Sequence, residues 1–409
     1  MKPKREIVPK SRPKRLRGTK KGQVKEPAAE QEKWEKASTY TQKPQHKTKR
    51  LRSLKQLGFP KIWQSTLGQA DKLQHKFGFK QPCKQFKCPW HDCTLSWKGQ
   101  NGKGRCTKNK CTFELSPTSF SLQQNTMLNN REALGLAYCF SLGTAPDEAR
   151  HLCNEGGLCE NTVLTAYDRC REVAAFSYQQ AHKDAVFEDG EAEVDCTATA
   201  VDRTGAATTT YKGRMLGITE RNSKKEFFAA LPDVTTAKGD PPPPESYEDV
   251  APHVGRLKDG SIMMPDSAGA YTKAKRLKKV PEEVPRLPVR HSAKKGQPKQ
   301  FSRFAKVDKT ALSPKAKAVA RKHGNLQRGS SSAKYTAGTQ KVDGKWGNTK
   351  DQMRRGNTLG RNTSKAHQKA FAALFLLESP GLENLGKASK QYFDHWAKPH
   401  GLDPKTYWM

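Results

Sequence analysis

The stretch Glu191-Ala-Glu-Val-Asp195-Cys-Thr-Ala-Thr-Ala200 decides the fold. Its alternation of small or apolar residues is that of a β-strand, and it presents one carboxylate, Asp195, at its middle. The two-residue period continues through Lys212-Gly-Arg-Met-Leu-Gly-Ile-Thr219 and Lys225-Glu-Phe-Phe-Ala-Ala-Leu231, with a turn at Glu220-Arg-Asn-Ser223. These three runs predict a strand meander. Pro241 to Pro244 break the chain, and Glu245 to Val254 reads as a short helix. Ser261-Ile-Met-Met-Pro-Asp266 is a second buried-type strand that ends in a carboxylate, and a helix begins within Ser267-Ala-Gly-Ala-Tyr271. Strands alternating with short helices predict an α/β core.

Upstream of the sheet, the period is helical. Arg131 to Leu142, a segment capped by Thr144, and a run from about Asn161 read as three helices. Asn154-Glu-Gly-Gly157 turns between the last two, which suits a helix-turn-helix-like segment over 128–185. A plain helical bundle fits the same periodicity.

Residues 80–120 carry thiols on tight knuckles: Cys88-Pro-Trp-His-Asp-Cys93 and Cys106-Thr-Lys-Asn-Lys-Cys111, separated by a Gly/Lys-rich turn. Two short loops that each offer two ligands suit tetrahedral zinc, so this is read as a zinc ribbon held by Cys88, Cys93, Cys106 and Cys111. The knuckle spacing is wide, and His91 or Cys83 could replace Cys88 or Cys93. A ribbon this small has little core of its own, so the Zn²⁺ would be structural.

Charge is distributed unevenly over the 409 residues, which carry a formal +35. Residues 131–255 hold 12 Lys and Arg against 21 Asp and Glu, whereas residues 256–365 hold 28 against 7. Residues 1–55 form a basic arm expected to be disordered, with tracts at Lys10–Arg17 and Lys47–Arg52 that resemble nuclear-import signals or phosphate-binding tracts and so suggest the nucleus, or the cytoplasm or nucleoid of a prokaryote. Residues 305–360, rich in Lys, Arg, Gly, Ser and Thr, are expected to be a disordered basic insertion. Residues 361–400 then supply helices with apolar faces, among them Ala366 to Leu377 and 385–397. This pattern calls for a polyanionic partner, most simply nucleic acid. No apolar run reaches membrane-spanning length.

The colinear order of ribbon, helices, strand with Asp195, meander, strand with Asp266 and a His291-Ser-x-Lys motif resembles the zinc-ribbon DDE transposases of bacterial insertion sequences and their Merlin-related eukaryotic relatives. Asp195-Cys-Thr197 stands where that family has Asp-Glu-Thr, and Asp266-Ser267 with Tyr271 resembles its second motif. The resemblance implies a ribonuclease-H-like core over 190–300, completed by 361–400. It also implies cleavage and transfer of DNA strands with Mg²⁺ or Mn²⁺ on Asp195 and Asp266. His291, Lys294 and Lys295 would then contact DNA, the partner would be double-stranded DNA at element terminal repeats, and the chain would be a homo-oligomer.

The family's third motif, Asn-x-x-Glu, is matched here to Asn362-Thr-Ser-Lys365, in which a lysine replaces the acid and Asn362 is the candidate ligand. Glu378 and Glu383 lie further along the same segment. On that alignment the alternative is an inactive, domesticated DNA-binding descendant.

Overall fold

The computed structural model describes residues 62, 64–80, 87–88, 90–97, 103–116, 123, 126–153, 158–290, 301–355 and 365–397. The basic arm, Cys83, His291, Lys294, Lys295 and Asn362 lie outside them. Among the described residues, no helix is long and apolar enough to cross a membrane.

Helix α1 (Leu67–Phe77) leads into a small three-stranded sheet of β1 (Ser96–Trp97), β2 (Gly104–Arg105) and β3 (Glu114–Leu115). Three helices follow: α2 (Asn130–Ser141), α3 (Pro146–Leu152) and α4 (Glu160–His182). Helix α2 begins at a capping box, in which Asn129 accepts from the Glu132 amide and Glu132 returns a bond to the Asn129 amide. Helix α3 departs from expectation. Its N-cap is Ala145 with Pro146 in the first turn, not Thr144, whose carbonyl instead accepts from the Tyr167 hydroxyl. Proline has no amide hydrogen to cap and a φ already suited to a helix start.

The central sheet contains β4 (Gly190–Asp202), β5 (Thr208–Glu220), β6 (Glu226–Leu231) and β8 (Ser261–Pro265), in the order β6-β5-β4-β8. The short β7 (Val234–Ala237) pairs with the start of β5. The meander is antiparallel, and β8 runs parallel to β4. Beyond β8 the chain returns in parallel again, with bridges Met263↔Arg286 and Asp266↔Val289. Helices α5 (Tyr247–Val254) and α6 (Gly269–Arg276) cover one face, where Val250, Val254, Tyr271 and Ala274 pack on Val194, Leu216, Ile218 and Met263.

The other face is covered from residues expected to be unfolded. Instead of a disordered insertion, residues 302–355 form β9 (Ser302–Asp308), α7 (Pro314–Lys322), β10 (Ser332–Gly338) and α8 (Gln340–Arg355). Strands β9 and β10 pair antiparallel. Ala305, Val307, Ala333, Tyr335 and Ala337 line their inner face and share one core with Ile262, Met264, Leu287 and Val289 of the sheet edge. The abundance of Lys, Arg, Ser and Gly hid this short apolar alternation, because each strand needs only two or three inward residues once a larger sheet completes its core. Helix α8 buries Val342, Trp346, Thr349 and Met353, at spacings of four, three and four residues. The Trp346 ring sits over Gly217 of β5, where a Cβ would stand 2.7 Å from it, so only glycine fits.

Helices α9 (Ala366–Glu378) and α10 (Leu382–Ala397) join α2 and α4 in a single hydrophobic cluster that also takes Met215 and Phe228 from the sheet. The long α4 therefore packs against neighbours along most of its length.

Tyr335 ties the β9–β10 ribbon to the sheet edge and is almost fully buried. Tyr335→Ala is expected to cost about 3 kcal/mol, as for other large buried side chains. Urea unfolding, together with faster tryptic cleavage within 302–338, would measure it.

Candidate functional site

The cysteine knuckles close as tight turns. The Cys88 amide donates to the Cys93 carbonyl (2.8 Å), and Asp92 and Lys110 take left-handed backbone conformations that reverse the chain inside each knuckle. Cys88 Sγ lies 3.7 Å from Cys111 Sγ, and His91 Nδ1 lies 3.5 Å from Cys88 Sγ and 3.6 Å from Cys106 Sγ. Metal–sulfur bonds of ~2.3 Å in a tetrahedron require ligand separations of roughly 3.8 Å, so these spacings fit. Cys88, His91, Cys106 and Cys111 have donor atoms mutually within 4.8 Å and could hold a metal such as zinc.

The four-donor set thus contains His91 where Cys93 was read, one of the substitutions left open by the wide knuckle. Cys93 lies beside it, 3.5 Å from Cys106 Sγ and in reach of the Thr107 hydroxyl. Burial raises the Cys88 thiol, but hydrogen bonds from His91 and the Trp90 amide outweigh it and bring the pKa to about 7. Leu95 and Leu115 complete their packing only with Phe393 of α10, so the ribbon borrows its core.

The second site is built on β4. Residues of one parity, Ala192, Val194 and Cys196, pack on the α5 and α6 side. The other parity carries Glu191, Glu193, Asp195 and Thr197. Parallel pairing runs from Gly190↔Ser261 to Val194↔Pro265, and one further step sets Asp195 beside Asp266. Neighbouring strands are ~4.8 Å apart, so these carboxylates arise side by side on the same face. Asp266 also accepts from the Ala268 amide at 2.9 Å, closing the turn that starts α6.

Helix α8 lies along the same face. The Glu193 carboxylate accepts from the backbone amides of Lys341 (2.7 Å) and Val342 (3.0 Å), and the Lys350 ammonium donates to Thr197 Oγ1 (2.7 Å). Nine helical residues and four strand residues both rise about 13 Å, so helix and strand stay in step between these two ties. Asp343, in the first turn of α8, then falls near Asp195. Burial pushes the Asp195 carboxyl well above the usual carboxylate range, and the charges of Asp343, Asp266 and Glu245 push it further. Glu245 is raised to about 7, by burial and then by Asp266. Burial lowers the Lys350 pKa, against the pull of Asp195 and Asp343.

Among the described residues, Asp343 adds its charge to those of Asp266 and Glu245 around Asp195, whereas Asn362 lies outside them. Lys365 precedes α9 and reaches toward Asp168 at 3.5 Å. Glu378 is engaged by His182 at 2.9 Å, and Glu383 by Lys387 at 3.1 Å. His182, Glu226 and Glu378 also bring donor atoms within 4.8 Å of one another. The Tyr178 hydroxyl and the Lys345 ammonium already occupy the two Glu226 oxygens, so this group reads as a tie between α4, β6, α8 and α9. Among the described residues, the carboxylates around Asp195 form no set of three within 4.8 Å. A signal for Asp343 was present in Thr339, whose hydroxyl bonds Asp343 at 2.9 Å, followed by the apolar spacing of Val342, Trp346 and Met353.

Comparison of the chain with protein-family models, with curated proteins and with solved structures finds no match.

Two outcomes are expected. Zinc content, measured by atomic emission, should fall in His91→Ala and Cys111→Ser and be retained in Cys93→Ser. Glu193→Ala removes the carboxylate that the Arg221 guanidinium meets at 2.5 Å and leaves two helix amides without their acceptor. It should lower unfolding free energy by about 3–5 kcal/mol in a denaturant titration.

Proposed function

We propose that the chain is a DDE-type transposase-like protein that binds DNA and cleaves and transfers its strands with divalent metal ions. The sheet order, with an antiparallel meander, a parallel β8 and a further parallel return beyond it, fits a ribonuclease-H-like core. The observation that carries the reading is the convergence of Asp195, Asp266 and Asp343 from three distant parts of the chain onto one face of the sheet. Such a concentration of negative charge, partly buried, favours a bound cation.

Carboxylate oxygens suit hard Mg²⁺ or Mn²⁺. Asp195, Asp266 and Asp343 would hold the ions, whose chemistry would be to polarise a phosphate and activate water for attack. The chain's own residues orient the reaction. Glu193 holds the helix that carries Asp343, and Lys350 sits beside Asp195 and Asp343 where its charge would meet an incoming phosphate. The structural zinc ribbon and the basic segments would grip the duplex backbone, which makes binding strongly salt-dependent.

The test is nicking of supercoiled DNA by the purified chain with Mg²⁺ or Mn²⁺. Activity is expected, and Asp195→Ala, Asp266→Ala or Asp343→Ala should each abolish it while the unfolding midpoint stays within a few degrees. Activity that survives all three changes would refute the site. DNA binding without any cleavage would favour the inactive descendant.

A further inference from the structure

The β9–β10 ribbon has two unlike faces. Its inner face is apolar and closed against the sheet edge. Its outer face carries Phe304 and Lys306 on β9, directly opposite Thr336 and Lys334 on β10. Phe304 is 92% exposed, although a phenyl ring on a strand ordinarily finds cover. Lys306 and Lys334 face each other as like charges on adjacent strands, an arrangement that repels until an anion lies between them. Residues 301–338 carry nine Lys and Arg against one acid, Asp308.

The position of this face matters as much as its chemistry. Phe304 lies in the part of the ribbon that runs into the helix bearing Asp343, since its partner Thr336 stands four residues before Gln340. Its neighbour Arg303 donates to the Pro288 carbonyl at 2.8 Å and borders a cleft with Ser267, Val289 and Arg290, and Ser267 directly follows Asp266. On the other strand, Arg221 holds the Thr336 and Gly338 carbonyls, four and two residues before the helix that carries Asp343.

We propose that Phe304 is a stacking platform for an unpaired base of a DNA strand at the carboxylate site, with Lys306 and Lys334 taking the adjoining phosphate. A ring stacks only where a base face is open, so the surface selects frayed, flipped or single-stranded nucleotides over closed duplex. Exposed aromatics flanked by lysines are how sequence-tolerant single-strand binders hold bases. The proposal rests on the DNA-cutting reading above but concerns a different step, capture of the opened strand.

The experiment uses the full chain and two duplexes of equal length, one blunt and one with a short single-stranded overhang containing 2-aminopurine. Wild type should bind the overhang duplex more tightly and change the 2-aminopurine fluorescence. Phe304→Ala should weaken overhang binding roughly five- to hundredfold and leave blunt-duplex binding unchanged, while Phe304→Trp retains both. Phe304 makes no buried contact, so the melting temperature should not move and loss of fold is excluded by that measurement.

Equal overhang binding by wild type and Phe304→Ala would overturn the proposal, even if the chain cuts DNA. Phe304-dependent overhang binding in a chain that cuts nothing with Mg²⁺ or Mn²⁺ would uphold it and sink the cleavage reading. Absence of any DNA binding would overturn both, as would Phe304-dependent attachment to anionic lipid vesicles without preference for the overhang.

Discussion

The Glu193 carboxylate is the interaction on which the rest of the site depends. It is 1% exposed, and a buried charge of this kind is tolerable only when its oxygens are fully engaged. Arg221 and the first amides of α8 engage them. Those amides would otherwise be orphaned at the helix start, and the positive end of the helix dipole favours an anion there. A strand side chain thus caps a helix that begins 147 residues later in the chain. The cap sets where α8 starts along β4, and so which of its residues comes level with Asp195.

Arg221 extends the same constraint to the insertion. It links Glu193, the Thr336 and Gly338 carbonyls and the Gln340 side chain. One guanidinium therefore joins β4, the last residues of β10 and the start of α8. Glu191 lies nearby at 3.8 Å and also accepts from Asn325. The outer ribbon, with its exposed Phe304, is held in place by the same bonds that place Asp343. The carboxylates themselves pull in the opposite direction, because Asp195, Asp266, Asp343 and Glu245 repel one another. Lys350 and Arg286 lie among them, and both have lowered pKa values, from burial first, so each is itself held at a cost.

Much of this was legible in residue patterns. The alternation around Asp195, the meander and the strand ending at Asp266 were readable because inward and outward residues separate cleanly by parity. The knuckle thiols were readable because metal geometry limits spacing, although the choice between His91 and Cys93 depended on how the turn at Asp92 folds. The segment 302–355 was not readable from composition. Its strands carry only a few small apolar residues, such as Ala305, Ala333 and Ala337, which acquire a core by resting on Ile262 and Met264. Reading it as unfolded hid α8, and with it Asp343, whose charge reaches Asp195.

By itself, then, the sequence determined the strand alternation, the thiol knuckles, the basic flanks and the strand positions of Asp195 and Asp266, since each is expressed within a few neighbouring residues. Only the tertiary structure brought Asp343 toward Asp195 and decided the docking of the ribbon and α8. Those depend on burial across long separations: Glu193 meeting the amides of Lys341 and Val342, and Trp346 settling on Gly217. No local period records which distant strand will satisfy a helix end, because that choice is made by desolvation and packing when the two surfaces meet.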